Sequence, residues 1–426
     1  MTMTNYAMLF PGQGSQYVGM GKTMYDSSSV AQRLFKEAEE LLEIPLRKLC
    51  FEGDMSDLTL TYHAQPAILT VGYIGYRLFM DKYGRAPLYL LGHSLGEITA
   101  LTCAGALSFE DAVKIVQRRG ILMHEAALDA KGTMTSIQGV PLDLVQTVCE
   151  FSSSDAHQAV VSNINAASQI VISGHESAVR HVSNLLVKMG ATAIPLHVSA
   201  PFHSPLMASA EESFRQYIGT YPLATLASNV VSNVDAQVYA DESQVAAKLS
   251  RQLTSPVRWT DCIRYITKAG ISLAVEMGPK SVLKKLAADT PLTVHALDDR
   301  EDASLLERHF GQMPEPRAID FIKGCLTQSV CTKNRNFDAT QYEQGVINQV
   351  RALEQLIEKA ESQQGHAPIE DIYKALDALL IIFETKKVAE QEKRQRLAKL
   401  CAKTLPMKLI EKAAAYVQDQ TQMSIA

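Results

Sequence analysis

Over residues 1–310, short apolar runs alternate with longer stretches in which apolar residues recur every three or four positions. That is the pattern of buried parallel strands separated by helices. Ala7–Phe10 reads as a short strand ending at Pro11-Gly12-Gln13-Gly14, and residues 88–91 as a buried strand ending at Gly92. Helical spacing covers 30–42, 64–83 and 95–106. A further helix begins after Ser108, where Ser108 and Asp111 form a capping pair. Between about 131 and 200 the order becomes strand (133–140), helix (142–151), strand (159–164), strand (169–173), helix (175–189), strand (191–197). This β-α-β-β-α-β order predicts a ferredoxin-like subdomain. Strands then resume near Val230 and at Ala274-Val275-Glu276.

Beyond about residue 311 the strand patterns stop. Met313-Pro314-Glu315-Pro316 reads as a linker. Val346, Val350, Leu353 and Ile357 fall at helical spacing, as do Ile369, Ile372, Tyr373, Leu376, Leu379, Leu380 and Phe383, with a break from Gly365 to Pro368. The expected organisation is a core of residues 1–130 plus 201–310, an inserted subdomain at 131–200 and an all-helical extension at 311–426.

Composition narrows the class. A chain of 426 residues with 46% hydrophobic and 20% charged positions has the material for two or three packed units. A net charge of -5 gives no reason to expect nucleic acid or an anionic membrane as partner. The seven cysteines lack metal-ligand spacing and suit a reducing compartment. The amino end has no basic region followed by an apolar run, and the mostly apolar stretch from Ala67 to Met80 is short for a bilayer span. A cytoplasmic protein is expected.

The strongest chemical signal is Gly92-His93-Ser94-Leu95-Gly96, a G-x-S-x-G sequence between a predicted strand and a predicted helix. In that context it is a nucleophile elbow, the sharp turn of α/β-hydrolase-like folds. The flanking glycines allow close approach of strand and helix. The Leu95 N–H, at the helix amino end, is placed to stabilise an oxyanion. A serine needs a base. His203, in Ser199-Ala200-Pro201-Phe202-His203-Ser204, is one candidate among 11 histidines. His93 is a rival, although neighbours on such a turn point apart.

These segments carry a resemblance. Phe10-Pro11-Gly12-Gln13-Gly14-Ser15-Gln16, Gly92-His93-Ser94-Leu95-Gly96-Glu97, Arg119-Gly120, Pro201-Phe202-His203-Ser204 and Gly278-Pro279 come in the order and spacing of the malonyl-CoA:acyl carrier protein transacylase family. Arg251-Gln252-Leu253 and Pro256-Val257-Arg258-Trp259-Thr260 resemble it too, so the likeness covers about residues 5–300. The resemblance implies that Ser94 is the nucleophile and His203 its base, with the Gln252 backbone carbonyl, not a carboxylate, holding the imidazole. It implies oxyanion N–H groups from Gln13 and Leu95, and Arg119 as receiver of the malonyl carboxylate. A guanidinium fork suits that carboxylate. Arg118, about 100° away around a helix, would then face elsewhere.

Phe202 and His203 resemble the end of the His-Ala-Phe-His pattern of malonyl-preferring polyketide acyltransferases, but Ala200 and Pro201 depart from its start. Asn163, Asn165 and Asn233 match family asparagines, each able to touch ligand or to satisfy backbone groups; His93, Asn165 and Asn233 are also placed at the substrate. In the extension, residues 331–336 and 383–387 resemble a tail of freestanding acyltransferases that serve polyketide synthases in trans. The function implied is ping-pong transfer of malonyl from coenzyme A to an acyl carrier protein or synthase carrier domain, by a monomer needing no metal or redox cofactor. Two rivals are an acyl hydrolase that clears carrier proteins, whose relatives tend to lose the arginine, and a docking protein for synthase modules.

Overall fold

The computed structural model describes residues 5–154, 156–196, 200–311, 318–363, 365 and 367–404. The expected linker at residues 313–316, together with residues 197 and 199 of the segments above, lies outside them. The described strands are β1 (Ala7–Phe10), β2 (Tyr89–Gly92), β3 (Gly132–Gln138), β4 (Ala159–Ala166), β5 (Gln169–His175), β6 (Thr192–Pro195), β7 (Asn229–Val231), β8 (Leu273–Glu276) and β9 (Thr293–Ala296). By packing, the described residues divide into two compact units, those within 1–76, 88–224 and 229–306, and those within 77–87, 225–228 and 307–426.

The first unit holds both sheets. One is parallel, with strand order β7-β2-β1-β8-β9. β1 and β8 are buried along their whole length. Strands covered on both faces read as continuous apolar runs, which is why they are visible in the sequence. β9 is not, because Thr293-Val294-His295-Ala296 is short and half polar. Residues expected to continue a helix to 106 instead leave it at Cys103. Gly105 turns the chain at φ 79°, and the Ala106 N–H reaches back to the Leu101 carbonyl, as in a glycine-terminated helix.

The second sheet is antiparallel, in the order β4-β5-β3-β6. Helices Leu142–Ser152 and Glu176–Lys188 follow β3 and β5, giving the β-α-β-β-α-β order. Side chains alternate across it. Ile170 and Ile172 of β5 pack with Val145, Val148, Val179, Val182 and Leu186 of those helices, while Gln169 and Val171 face a cavity. A backbone bridge joins this sheet to the rest of the unit: the Val257 N–H donates to the Ser162 carbonyl and Ile164 N–H to that of Val257, both at 2.9 Å.

The second unit is helical, built on Ala318–Cys331, Asn348–Ser362, Ile369–Thr385 and Glu390–Thr404. Phe321, Ile322, Leu353, Leu376, Leu379 and Phe383 form its core. The two tail segments singled out in the sequence meet at Lys386. Its Nζ donates to the carbonyls of Ser329 (2.6 Å) and Thr332 (3.0 Å), and its own carbonyl accepts from the Arg335 N–H.

Candidate active site

The loops that leave β1, β2 and β7 at their carboxyl ends converge, as ligand-binding loops do in open parallel sheets. β2 ends at Gly92, and Ser94 turns the chain with φ 51° and ψ -107° before the helix Leu95–Cys103. Such a conformation costs a non-glycine residue about 1–3 kcal/mol. The surroundings hold it in place. A Cβ on Gly92 would fall 1.8 Å from the Gly96 carbonyl carbon, and one on Gly96 would fall 2.0 Å from the Phe10 oxygen. Asn233 clamps the turn: its Oδ1 accepts from the Ser94 N–H at 2.7 Å and its Nδ2 donates to the Gly92 carbonyl at 2.8 Å.

His203 also has positive φ, 57°, and is buried. Its Nε2 lies 2.8 Å from Ser94 Oγ, and its Nδ1 lies 2.8 Å from the backbone oxygen of Gln252. A carbonyl only accepts, so Nδ1 carries the hydrogen and Nε2 turns its lone pair to the serine. Burial, reinforced by the neighbouring Arg119 cation, lowers the His203 pKa to about 3. The imidazole is therefore neutral at physiological pH. His93 faces elsewhere: its Nε2 meets Asn165 Oδ1 at 2.8 Å, and burial lowers its pKa.

Arg119, on the helix Phe109–Ala130, is 1% exposed, while Arg118 is half-buried. Nη1 of Arg119 donates to Gln65 Oε1 at 3.0 Å. Nη2 donates to Gln252 Oε1 at 2.8 Å and to Ser94 Oγ at 3.2 Å. Among the described residues, Nε has no hydrogen-bond partner. Burial lowers the pKa to about 10, which leaves the group cationic at neutral pH. Behind it, Gln252 Nε2 donates to Glu97 Oε2 at 2.6 Å. Glu97, wholly buried, also accepts from the Asn233 N–H and the Tyr239 hydroxyl. Gln65, Glu97 and Tyr239 are absent from the residues read as functional in the sequence. Only Glu97 carried a signal, one helical turn beyond Ser94 within the quoted motif.

Ser94, His203 and Arg119 open on a cavity of about 580 Å³. Gln13 borders it from the loop after β1, and Leu95 at the first position of its helix, where an N–H has no intrahelical acceptor. His93, Ser94, Arg119, Asn163, Asn165, Phe202 and His203 line it as well. Asn233 does not. Of the two uses open to it in the sequence, substrate contact gives way to backbone support, because both of its amide atoms are engaged behind the elbow. Phe202 additionally borders a second cavity of about 230 Å³. Among the described residues no His, Cys, Asp or Glu side chains cluster as metal ligands, and no helix is long and apolar enough to cross a membrane.

A hydroxyl, a neutral imidazole and an orienting carbonyl are the arrangement from which serine acyl-group enzymes are built. Residues 7–315 match the acyl transferase domain family. The chain belongs to that family, and it is an acyltransferase related to the malonyl-CoA:acyl carrier protein transacylases. It is 37% identical over 396 residues to a malonyl CoA-acyl carrier protein transacylase of Bacillus subtilis, covering 92% of this chain and 98% of that protein. That alignment runs well into the helices beyond residue 315. A transacylase of the same name from Escherichia coli K12 is 37% identical over 303 residues, covering 70% of this chain and 97% of the relative. The solved transacylase of Coxiella burnetii superposes with a TM-score of 0.69 at 34% identity, covering 72% of this chain and 98% of that one. A malonyl-transacylase solved in complex with its type II PKS acyl-carrier protein superposes equally well, TM-score 0.69 at 32% identity, over 73% of this chain and 100% of that one.

Proposed function

We propose that this acyltransferase moves malonyl from coenzyme A to the phosphopantetheine thiol of an acyl carrier protein, and that its carriers belong to a polyketide synthase it serves in trans. The observation that carries the malonyl assignment is the buried Arg119 guanidinium, hydrogen-bonded to Ser94 Oγ and with its Nε donor unpartnered among the described residues. A cation there is costly unless an anion arrives, and malonyl brings a carboxylate that acetyl lacks.

In the proposed reaction Ser94 Oγ attacks the thioester carbonyl while His203 Nε2 takes its proton. The N–H groups of Leu95 and Gln13 hold the tetrahedral oxyanion. The C–S bond breaks, His203 returns the proton to the departing thiolate, and coenzyme A leaves a malonyl ester on Ser94. The carrier thiol then attacks that ester, giving its proton to His203; the ester C–O bond breaks, His203 Nε2 returns the proton to Ser94 Oγ, and the malonyl thioester leaves on the carrier. Asn165 and Phe202 would shape the acyl site, with His93 held in place by Asn165. No metal or redox group takes part in this scheme, and the enzyme acts as a monomer in the cytoplasm. The hydrolase-like description of the core, and its division at residues 130, 200 and 310, belong to the same reading. The polyketide assignment is supported by the resemblance of the helical tail and by the structural relative that was solved with its type II PKS acyl-carrier protein.

The test is to mix the enzyme with malonyl-CoA without acceptor and map the adduct by peptide mass spectrometry. A malonyl ester on Ser94, absent from Ser94→Ala, is expected. Acylation elsewhere, or none, overturns the scheme.

A further inference from the structure

Behind the reacting groups lies a second ionisable side chain. Glu97 is 0% exposed, one turn along the helix from Ser94. A buried carboxyl is tolerated when its oxygens are filled. Oε2 accepts from the Asn233 N–H at 3.0 Å and from Gln252 Nε2 at 2.6 Å, and Oε1 accepts from the Tyr239 hydroxyl. Both groups facing Oε2 are N–H donors, so that oxygen is an acceptor whether or not Oε1 carries a proton.

Gln252 lies between this acceptor and a guanidinium, which only donates. Its amide has one orientation that satisfies both neighbours: Nε2 to Glu97, and Oε1 to Arg119 Nη2 at 2.8 Å. The reverse orientation would set the amide N–H group against the guanidinium N–H and oxygen against oxygen. The same residue's backbone oxygen meets His203 Nδ1. Gln252 Nε2 also donates to the Ser94 carbonyl at 3.1 Å and to Asn233 Oδ1 at 3.4 Å. Gln252 thus touches both the histidine and the arginine, and Glu97 is the nearest of the three acceptors that set which end of its amide the arginine meets.

We propose that Glu97 is a positioning residue for acyl selection: it fixes the Gln252 amide so that Arg119 is held beside Ser94 with its Nε donor left for the substrate carboxylate. The proposal rests on the reading above in which Arg119 receives malonyl. It separates the selective function of the network from the histidine contact, which uses only the Gln252 backbone.

The experiment compares kcat/KM for malonyl-CoA and acetyl-CoA in the full-length enzyme, with thermal melting to verify folding. Glu97→Met removes the shortest of the Nε2 acceptors and leaves the longer contacts to Ser94 and Asn233, and the malonyl-to-acetyl ratio is expected to fall roughly tenfold, the effect of misplacing one hydrogen bond to a charged group. Glu97→Gln can present its amide oxygen to the same two donors and its NH2 group to the Tyr239 hydroxyl, so it is expected to retain the ratio. Should Glu97→Met fail to fold, Gln252→Met breaks the same link while keeping the backbone carbonyl, and a similar fall is expected. An unchanged ratio in the folded Met variants, or a loss in Glu97→Gln as large as in Glu97→Met, overturns the proposal. A wild-type enzyme without preference for malonyl would instead overturn the functional reading on which it rests.

Discussion

Replacing Arg119 with alanine tests how the site chooses its acyl group. The guanidinium is buried, Nη1 is engaged by Gln65, Nη2 is shared between Gln252 and Ser94, and Nε has no partner among the described residues. A carboxylate gripped bidentately by this guanidinium would gain two charge-assisted hydrogen bonds. Hydrogen bonds to charged groups contribute about 1.5–3 kcal/mol each, and breaking a buried ion pair costs about 3–5 kcal/mol. At 1.36 kcal/mol per factor of ten, kcat/KM for malonyl-CoA should fall by about two to four powers of ten. Acetyl-CoA, with no carboxylate to lose, should change far less. The variant also deprives Gln65 and Gln252 of a donor at about 1–3 kcal/mol each, so thermal melting must accompany the kinetics. Arg119→Lys keeps the charge without the fork and should fall between. An Arg119→Ala enzyme that folds and still prefers malonyl as strongly as the wild type would refute the argument.

Other consequences follow from the same geometry. Because the His203 pKa is lowered to about 3 in the folded state, the base stays neutral through mild acid, and the acid limb of kcat/KM should lie well below pH 6.5. Arg119→Ala removes one cause of that shift and should move the limb to higher pH; limbs at 6.5 in both enzymes would contradict it. The same shift has a stability sign: below pH 6.5 the unfolded chain binds a proton that buried His203 refuses, so stability falls as pH drops from 6.5 toward 3, measurable by urea unfolding. Gly96→Ala places a Cβ 2.0 Å from the Phe10 oxygen and should prevent the elbow from forming, seen as loss of acylation together with a lowered Tm. Phe202→Ala removes a ring bordering both cavities and should raise the rate with methylmalonyl-CoA relative to malonyl-CoA; an unchanged ratio would show that Phe202 is core only.

Much of this was legible in the sequence, and the exceptions share a cause. Strand β1 and the elbow are local: an apolar run, a turn that needs glycine, a helix start. Their signals occupy consecutive residues. The grouping of Ser94, His203, Gln252 and Arg119 was readable only through resemblance, since the hydrogen bonds that join them span large separations along the chain. Glu97 sits directly after the elbow's Gly96, where nothing local shows what it does. Its partners Asn233, Tyr239 and Gln252 lie on distant segments, and a glutamate in the first turn of a helix reads as an ordinary surface residue. Gln65 stands near the start of a helix beside Pro66 and announces nothing until Arg119 reaches it. Asn233 shows the reverse failure, where likeness to a family position suggested ligand contact and the fold uses both amide atoms for its own backbone.

Transfer to a carrier thiol separates this enzyme from a hydrolase built on the same site. It is tested most directly by mass spectrometry of a phosphopantetheinylated carrier protein after brief incubation with malonyl-CoA and a catalytic amount of enzyme, with free malonate assayed in the same tube. A malonyl-loaded carrier and little malonate are expected. Rapid malonate release with the carrier still unloaded would contradict it and make the protein a hydrolase.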